Sequence, residues 1–134
     1  MRKYIITPAL LAIVCMVMCH CTFNRKASVA ANEYLIQGEL ANLPDSIVIG
    51  LYEEDGSILN CVWRDTLMNG QFSFRDTVST TRKMLIMSDN RGFPGTWLEV
   101  WIAPGEYIEI KGQDKLVKTW EVVSDVPEQQ EENR

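Results

Sequence analysis

The stretch TWLEVWIAPGEYIEIKG, residues 96–112, predicts two β-strands more clearly than any other part of this chain. Aliphatic side chains alternate with polar or aromatic ones, and successive side chains of a strand point to opposite faces. Pro104-Gly105 separates the two runs and is a turn signal. We therefore expect a β-hairpin whose aliphatic residues share one buried face: Leu98, Val100, Ile102, Ile108 and Ile110.

The loop length of this hairpin decides its register. A two-residue loop would set aromatic side chains against aliphatic ones, because a slip of one residue turns every side chain to the other face. A three-residue loop at 104–106 pairs Ile102 with Ile108 and places Glu99 opposite Lys111, which are oppositely charged. We predict the three-residue loop.

Alternating segments continue on both sides of this hairpin, and turn signals separate them. Asp-Gly at 55–56 and Asn-Gly at 69–70 are typical of tight hairpins. Because no long stretch has a helical period, we predict an all-β fold, an antiparallel β-sandwich or small barrel of about seven to eight short strands. Besides the two strands of this hairpin, at 96–102 and 107–112, we expect strands at 34–43, 46–55, 58–68, 72–78, 83–88 and 118–126.

The N-terminus has the layout of a secretory signal peptide. Arg2 and Lys3 precede a stretch without charge from Tyr4 to Cys21, with an apolar run of roughly 15 to 18 residues. A retained anchor helix is the alternative. We predict a signal segment at 1–21, a tether at 22–32, the β-domain at 33–125, and a polar acidic linker or truncated end at 126–134.

Three of the four cysteines lie in or beside this signal, at 15, 19 and 21. Cys21 or Cys19 is the candidate site of lipid attachment, which would make the chain a lipoprotein held at a membrane. Neither cysteine follows a good small-residue box, so ordinary cleavage near 28–30 is the rival. A metal site at Cys19, His20 and Cys21 would need a fourth ligand and a folded scaffold, and we predict none.

Charge and residue content exclude several functions. The net charge is −5, and it becomes −7 without the +2 of residues 1–21, which disfavours nucleic acid as a partner. His20 is the single histidine, so the β-domain lacks the commonest general base and metal ligand. Cys61 is its only cysteine and is expected to be a buried apolar residue. Phosphate loops and hydrolase motifs are absent as well. We predict no enzyme activity and no cofactor.

Carboxylates occur in two groups, Glu53-Glu54-Asp55 beside a turn and Glu99 with Glu109 on one hairpin face. Acid–base catalysis needs a carboxylate in a sheltered pocket, and no pocket is indicated here. We expect the group beside the turn to be solvated, and we predict no catalytic role for either group.

The candidate binding face is aromatic. Trp97 and Trp101 lie two residues apart, opposite the aliphatic row, and the predicted register brings Tyr107 close to Trp101. Exposed aromatic rows occur at interfaces with proteins and glycans. The alternative is that the loop at 89–95 covers this face.

The β-domain resembles the domain of unknown function 4369, found in secreted proteins of Bacteroides-type bacteria. The resemblance rests on turn and strand motifs and covers about residues 33–125. These motifs are YLIQGELANLPDSIVIGLYEED (34–55), RDTLMNGQFSFRDTV (64–78) and LEVWIAPGEYIEIKG (98–112). In that family the domain often precedes a thioredoxin- or peroxiredoxin-like domain.

The resemblance implies a non-catalytic accessory domain that holds or orients a thioredoxin-like redox domain, whether downstream or separate. Here the sequence ends at Arg134, where such a domain would follow, so we expect either a truncated chain or a stand-alone form. The predicted location is the periplasmic or cell-surface side of a bacterial envelope. A stand-alone module that binds glycan or peptide through its aromatic hairpin is the alternative function.

Overall fold

Eight β-strands and one short helix make up the computed structural model, which describes residues 27–134. Most predicted strands are present, with ends shifted by a few residues. A single 3-10 turn at Val117–Thr119 precedes the last strand, and α1 (Pro127–Glu132) follows it. The strands are β1 (Glu33–Leu40), β2 (Ile47–Asp55), β3 (Ile58–Leu67), β4 (Gln71–Thr77), β5 (Arg82–Met87), β6 (Leu98–Ile102), β7 (Tyr107–Gly112) and β8 (Glu121–Val123).

The strands form two four-stranded sheets, so the predicted all-β sandwich is confirmed. Sheet 1 has the order β4-β1-β7-β8, and sheet 2 has the order β3-β2-β5-β6. Neighbouring strands are antiparallel except β1 and β7, which run parallel.

The core lies between the inner faces of the sheets, where the alternating aliphatic residues meet. Burying one such side chain contributes about 1.5–3 kcal/mol. Trp120 closes one end of the core, with its ring edge-on to Phe93 at 5.7 Å between centroids. The residues that are at most 1% exposed include Ile36, Leu40, Ile47, Ile49, Leu51, Leu67, Phe74, Ile86, Val100, Ile108 and Ile110.

The predicted Asp-Gly hairpin joins β2 to β3. Asp55 lies opposite Ile58, and Gly56 has a φ of 62°, a conformation that glycine adopts without strain. The register shifts between Leu51 and Tyr52, so that β3 carries an extra residue at Val62, which is a β-bulge.

The Asn69-Gly70 turn forms as predicted, but the hairpin does not. Met68 and Gln71 exchange both backbone hydrogen bonds, at 3.0 and 2.9 Å, and both turn residues have positive φ, as in a type I′ turn. The strands on the two sides of this turn diverge. β3, before the turn, belongs to sheet 2, whereas β4, after it, pairs with β1 in sheet 1. Asp65 links the two diverging strands, because its carboxylate accepts the backbone N–H of Ser73 at 2.7 Å.

The predicted hairpin at 96–112 is wrong, although its alternation is correct. β6 pairs with β5 in sheet 2, and β7 pairs with β1 and β8 in sheet 1, so Ile102 and Ile108 are not a cross-strand pair. Both aliphatic rows still face the core, because they face each other across the sandwich. Glu99 binds Lys83 instead of the predicted Lys111.

The C-terminal segment also differs from the prediction. The expected strand at 118–126 is shortened to β8, and the expected linker at 126–134 contains α1. Val126 and Gln129 are 1% and 2% exposed, so this acidic segment packs on the sandwich. Pro127 at the first helical position favours the start of the helix.

The signal segment at 1–21, with Cys19 and Cys21, lies outside the described residues. Within 27–134, the helices fall short of the length and apolar content that a membrane crossing needs.

Candidate functional site

An open groove of about 930 Å³ lies between β6 and β8, the outermost strands of the two sheets on one side of the sandwich. Trp97, just before β6, lines this groove and is 52% exposed. α1 contributes Gln129 and Glu132 to the same groove. One of the three predicted aromatic residues therefore offers an open ring face beside polar groups.

Trp101, the second predicted residue, is half-buried because α1 packs beside it. Its indole N–H donates to Glu132 at 2.6 Å, and its ring lies 5.8 Å from the Lys83 ammonium nitrogen, within range of a cation–π contact. Because its indole N–H already donates within the chain, Trp101 contributes to the fold at least as much as it could contribute to binding a ligand.

Tyr107, the third predicted residue, lies on the outer face of sheet 1, whereas Trp101 lies on the outer face of sheet 2. Its hydroxyl donates to Gln37 at 3.1 Å, and burial followed by the nearby Glu109 carboxylate raises the pKa of Tyr107. The predicted proximity of Tyr107 to Trp101 is therefore wrong, because the strands that carry them do not form a hairpin.

Two side-chain amides of the C-terminal segment connect the free edges of β6 and β8. Gln129 accepts the backbone N–H of Trp101 at 2.9 Å and donates to Asn133 at 3.1 Å. Asn133 in turn donates to the Val122 carbonyl at 2.8 Å. We name this chain of hydrogen bonds the amide bridge. It satisfies backbone groups that an open sheet edge would leave unpaired.

Glu99, one of the charged residues that line the groove, forms an ion pair with the neighbouring Lys83 at 3.0 Å. Hydrogen bonds from the Glu132 carboxyl and from Lys83 lower the pKa of Glu99, and the hydrogen bond to Glu99 raises the pKa of Lys83. Glu99 is therefore held in its ionised form, which makes it a hydrogen-bond acceptor and a poor general acid.

The predicted carboxylate groups are not brought together. Glu99 lies on sheet 2 and Glu109 on sheet 1, where Glu109 pairs with Lys111 at 3.1 Å. Glu53 forms an ion pair with Arg82.

Cys61 is half-buried on β3, more exposed than expected, and its thiol donates to the Trp63 carbonyl at 3.3 Å. Across residues 27–134, the side chains form no group of three or more histidines, cysteines and acids that could hold a metal.

Sequence reasoning missed Gln129 and Glu132, because a polar acidic run resembles a solvated linker. The one signal that favours a helix there is Pro127 followed by helix-forming residues.

Comparison with known proteins adds no assignment to this site. No protein-family model, no curated protein and no solved structure matches this chain.

Proposed function

We propose that this chain is a non-catalytic β-sandwich module of the bacterial cell envelope that docks a thioredoxin-like redox domain. The partner class rests on the resemblance of residues 33–125 to accessory domains of such proteins. The docking surface in this proposal is the groove between β6 and β8, centred on Trp97.

The observation that carries the proposal is the exposed indole of Trp97 at the end of a sheet edge. Tryptophan is enriched among the residues that dominate binding energies, since it buries a large apolar area and offers an N–H donor. The polar groups around it, Glu99 and Glu132, are already fixed by hydrogen bonds. Because these side chains are already fixed, they lose little further conformational entropy when a partner binds.

Calorimetric titration tests the docking surface. The full chain in detergent is titrated with a thioredoxin-like domain encoded in the same genome. We expect Trp97→Ala to weaken binding by at least about tenfold, as for an interface anchor. Trp63→Ala is the matched control, because Trp63 is 44% exposed at the opposite edge of sheet 2. Equal losses in both variants, or no binding by the unchanged chain, would refute the proposal.

A glycan is the second candidate ligand, favoured by the same exposed ring beside fixed carboxylates. Neutral sugars stack their C–H faces on indole rings, and carboxylates accept their hydroxyl groups. The full chain is tested for binding to a panel of neutral oligosaccharides. Binding that is lost in Trp97→Ala and kept in Trp63→Ala would identify a sugar, and not a protein, as the ligand of the groove.

The tether belongs to the same proposal. Export by the signal segment and acylation at Cys21 or Cys19 would hold the sandwich at a membrane surface. Intact mass of the membrane-extracted chain distinguishes the cysteines. Cys21→Ser and Cys19→Ser are tested singly and together. Membrane association of the double variant that equals that of the unchanged chain would rule out lipidation as the anchor.

A further inference from the structure

The exposed apolar side chains of this sandwich are concentrated on one hairpin. Of the nine large hydrophobic residues exposed within 27–134, six lie on or directly beside β2 and β3. Ile58 and Trp63 lie on the inner face of sheet 2 and Leu59 on its outer face, so apolar side chains border the β3 edge on both sides, as at an interaction surface. The six are Val48, Ile58, Leu59, Val62, Trp63 and Met68.

The backbone of this hairpin is also open to a partner. β3 is the outermost strand of sheet 2, and β5 pairs only with Gly50–Tyr52 of β2. Residues 53–60 therefore extend as a two-stranded ribbon, in which only β2 and β3 pair with each other within the described chain. At its other end, β3 meets β4 through Asp65. The segment 58–64 is the part of the edge that stays uncovered.

Charges of opposite sign lie at the two ends of this segment. Arg64 ends it on one side, and Glu54 and Asp55 lie beside Ile58 on the other. Among residues 27–134, none of these three charges forms an ion pair. If the β3 strand of a second copy packed antiparallel to this one, each Arg64 would approach the acidic turn of the other chain. Parallel packing would bring like charges together.

We propose that two copies of this chain form a two-fold dimer by antiparallel packing of their β3 edges over residues 58–64. The axis passes beside Cys61, the midpoint of that segment, so that Trp63 of each chain lies two residues from it. Assembly stops at two chains, because Gln129 covers the opposite edge of sheet 2 at Trp101. This goes beyond the proposed function and uses the other edge of the sheet.

Sedimentation velocity of the full chain in detergent, over a wide concentration series, tests the dimer. We expect a reversible doubling of the protein mass for the unchanged chain and its loss in Trp63→Glu. Trp97→Glu is the matched control and should keep the dimer. A monomer at every concentration, or a dimer that survives Trp63→Glu, would overturn the proposal.

Charge reversal tests the antiparallel orientation. Arg64→Glu and Asp55→Arg should each shift the dimer to higher concentration by about tenfold, and the double variant should recover the loss. Both positions are exposed, and thermal unfolding of each variant verifies that it remains folded. Additive losses without recovery would contradict the arrangement. Since neither residue lies in the Trp97 groove, this result is independent of the proposed function.

The position of the axis predicts a specific crosslink. A short bis-maleimide reagent adds one thiol to each of its double bonds, so it joins two nearby cysteines without an oxidant. We expect it to yield a crosslinked dimer that Cys61→Ser abolishes. A crosslink that persists in Cys61→Ser would place the contact elsewhere.

Discussion

The side-chain oxygen of Gln129 accepts the backbone N–H of Trp101 at 2.9 Å, so a helix residue pairs with the free edge of a sheet. Removing a partner from a buried hydrogen bond costs about 1–3 kcal/mol. We therefore expect Gln129→Ala to lower the free energy of unfolding by this amount in urea titrations. Glu128→Ala, at the preceding exposed position, should change it by less than about 0.5 kcal/mol. Equal effects would mean that the amide bridge contributes nothing.

The inward face of β7 predicts a large difference between neighbouring positions. Ile110 is fully buried, so Ile110→Asp places an unpaired charge in the core and should destabilise by at least about 4 kcal/mol or prevent folding. Glu109→Ala removes only an exposed ion pair with Lys111 and should cost less than about 1 kcal/mol. Thermal unfolding of both variants checks this contrast. A tolerated Ile110→Asp would contradict the assigned inner face.

Two of the three positive-φ glycines among residues 27–134, Gly56 and Gly70, separate backbone strain from steric overlap. A Cβ at Gly56 meets no atom within 4 Å, so Gly56→Ala should cost only the strain of its φ, about 1–2 kcal/mol. A Cβ at Gly70 would lie 2.7 Å from the Leu40 carbonyl oxygen, so Gly70→Ala should cost clearly more. Gly95→Ala, with neither constraint, is the control. Urea titration of the three variants should give this order, and a reversed order would refute the turn geometry.

Tyr34 makes stability fall at alkaline pH. Burial, followed by the charge of Asp76, raises the pKa of Tyr34 to about 12 from its ordinary value near 10. The folded chain therefore holds the phenolic proton more tightly than the unfolded chain. The resulting stability is complete below pH 10 and is lost between about pH 10 and 12.

Tyr34→Phe should remove this part of the alkaline loss. The difference in unfolding free energy between the two chains should change by roughly 2 kcal/mol over that interval. A difference that stays constant from neutral to alkaline pH would show that Tyr34 titrates alike in both states.

The alternating pattern predicted the inner face correctly but not the pairing partners. Val100 and Ile110 face the core as expected, because period-two alternation depends only on the local chain. Their strands lie in different sheets, which the pattern cannot distinguish from a hairpin, since both arrangements bury the same rows. The Asn69-Gly70 turn shows the same limit, because a tight turn fixes four residues and not the strands beyond them.

The candidate site was predicted in part for a related reason. Trp97 is exposed as the alternation suggests, whereas Trp101 is covered by a segment whose helix contains five glutamates and glutamines. A helix of six residues has no stability of its own. It forms here because Val126 and Gln129 find a site on the sandwich, and a single sequence window does not contain that site.

The parallel pairing of β1 with β7 has a consequence for how this chain folds. Leu35 lies beside Tyr107, 72 residues later in the chain, so the centre of sheet 1 is a contact of very long range. Such contacts slow folding because a large loop must close before any pairing is gained. The β2–β3 hairpin can form early from local contacts, but sheet 1 cannot close until β7 has been synthesised. The sandwich is therefore completed only after residues 107–112 have been made, and until then β1 has an unpaired edge.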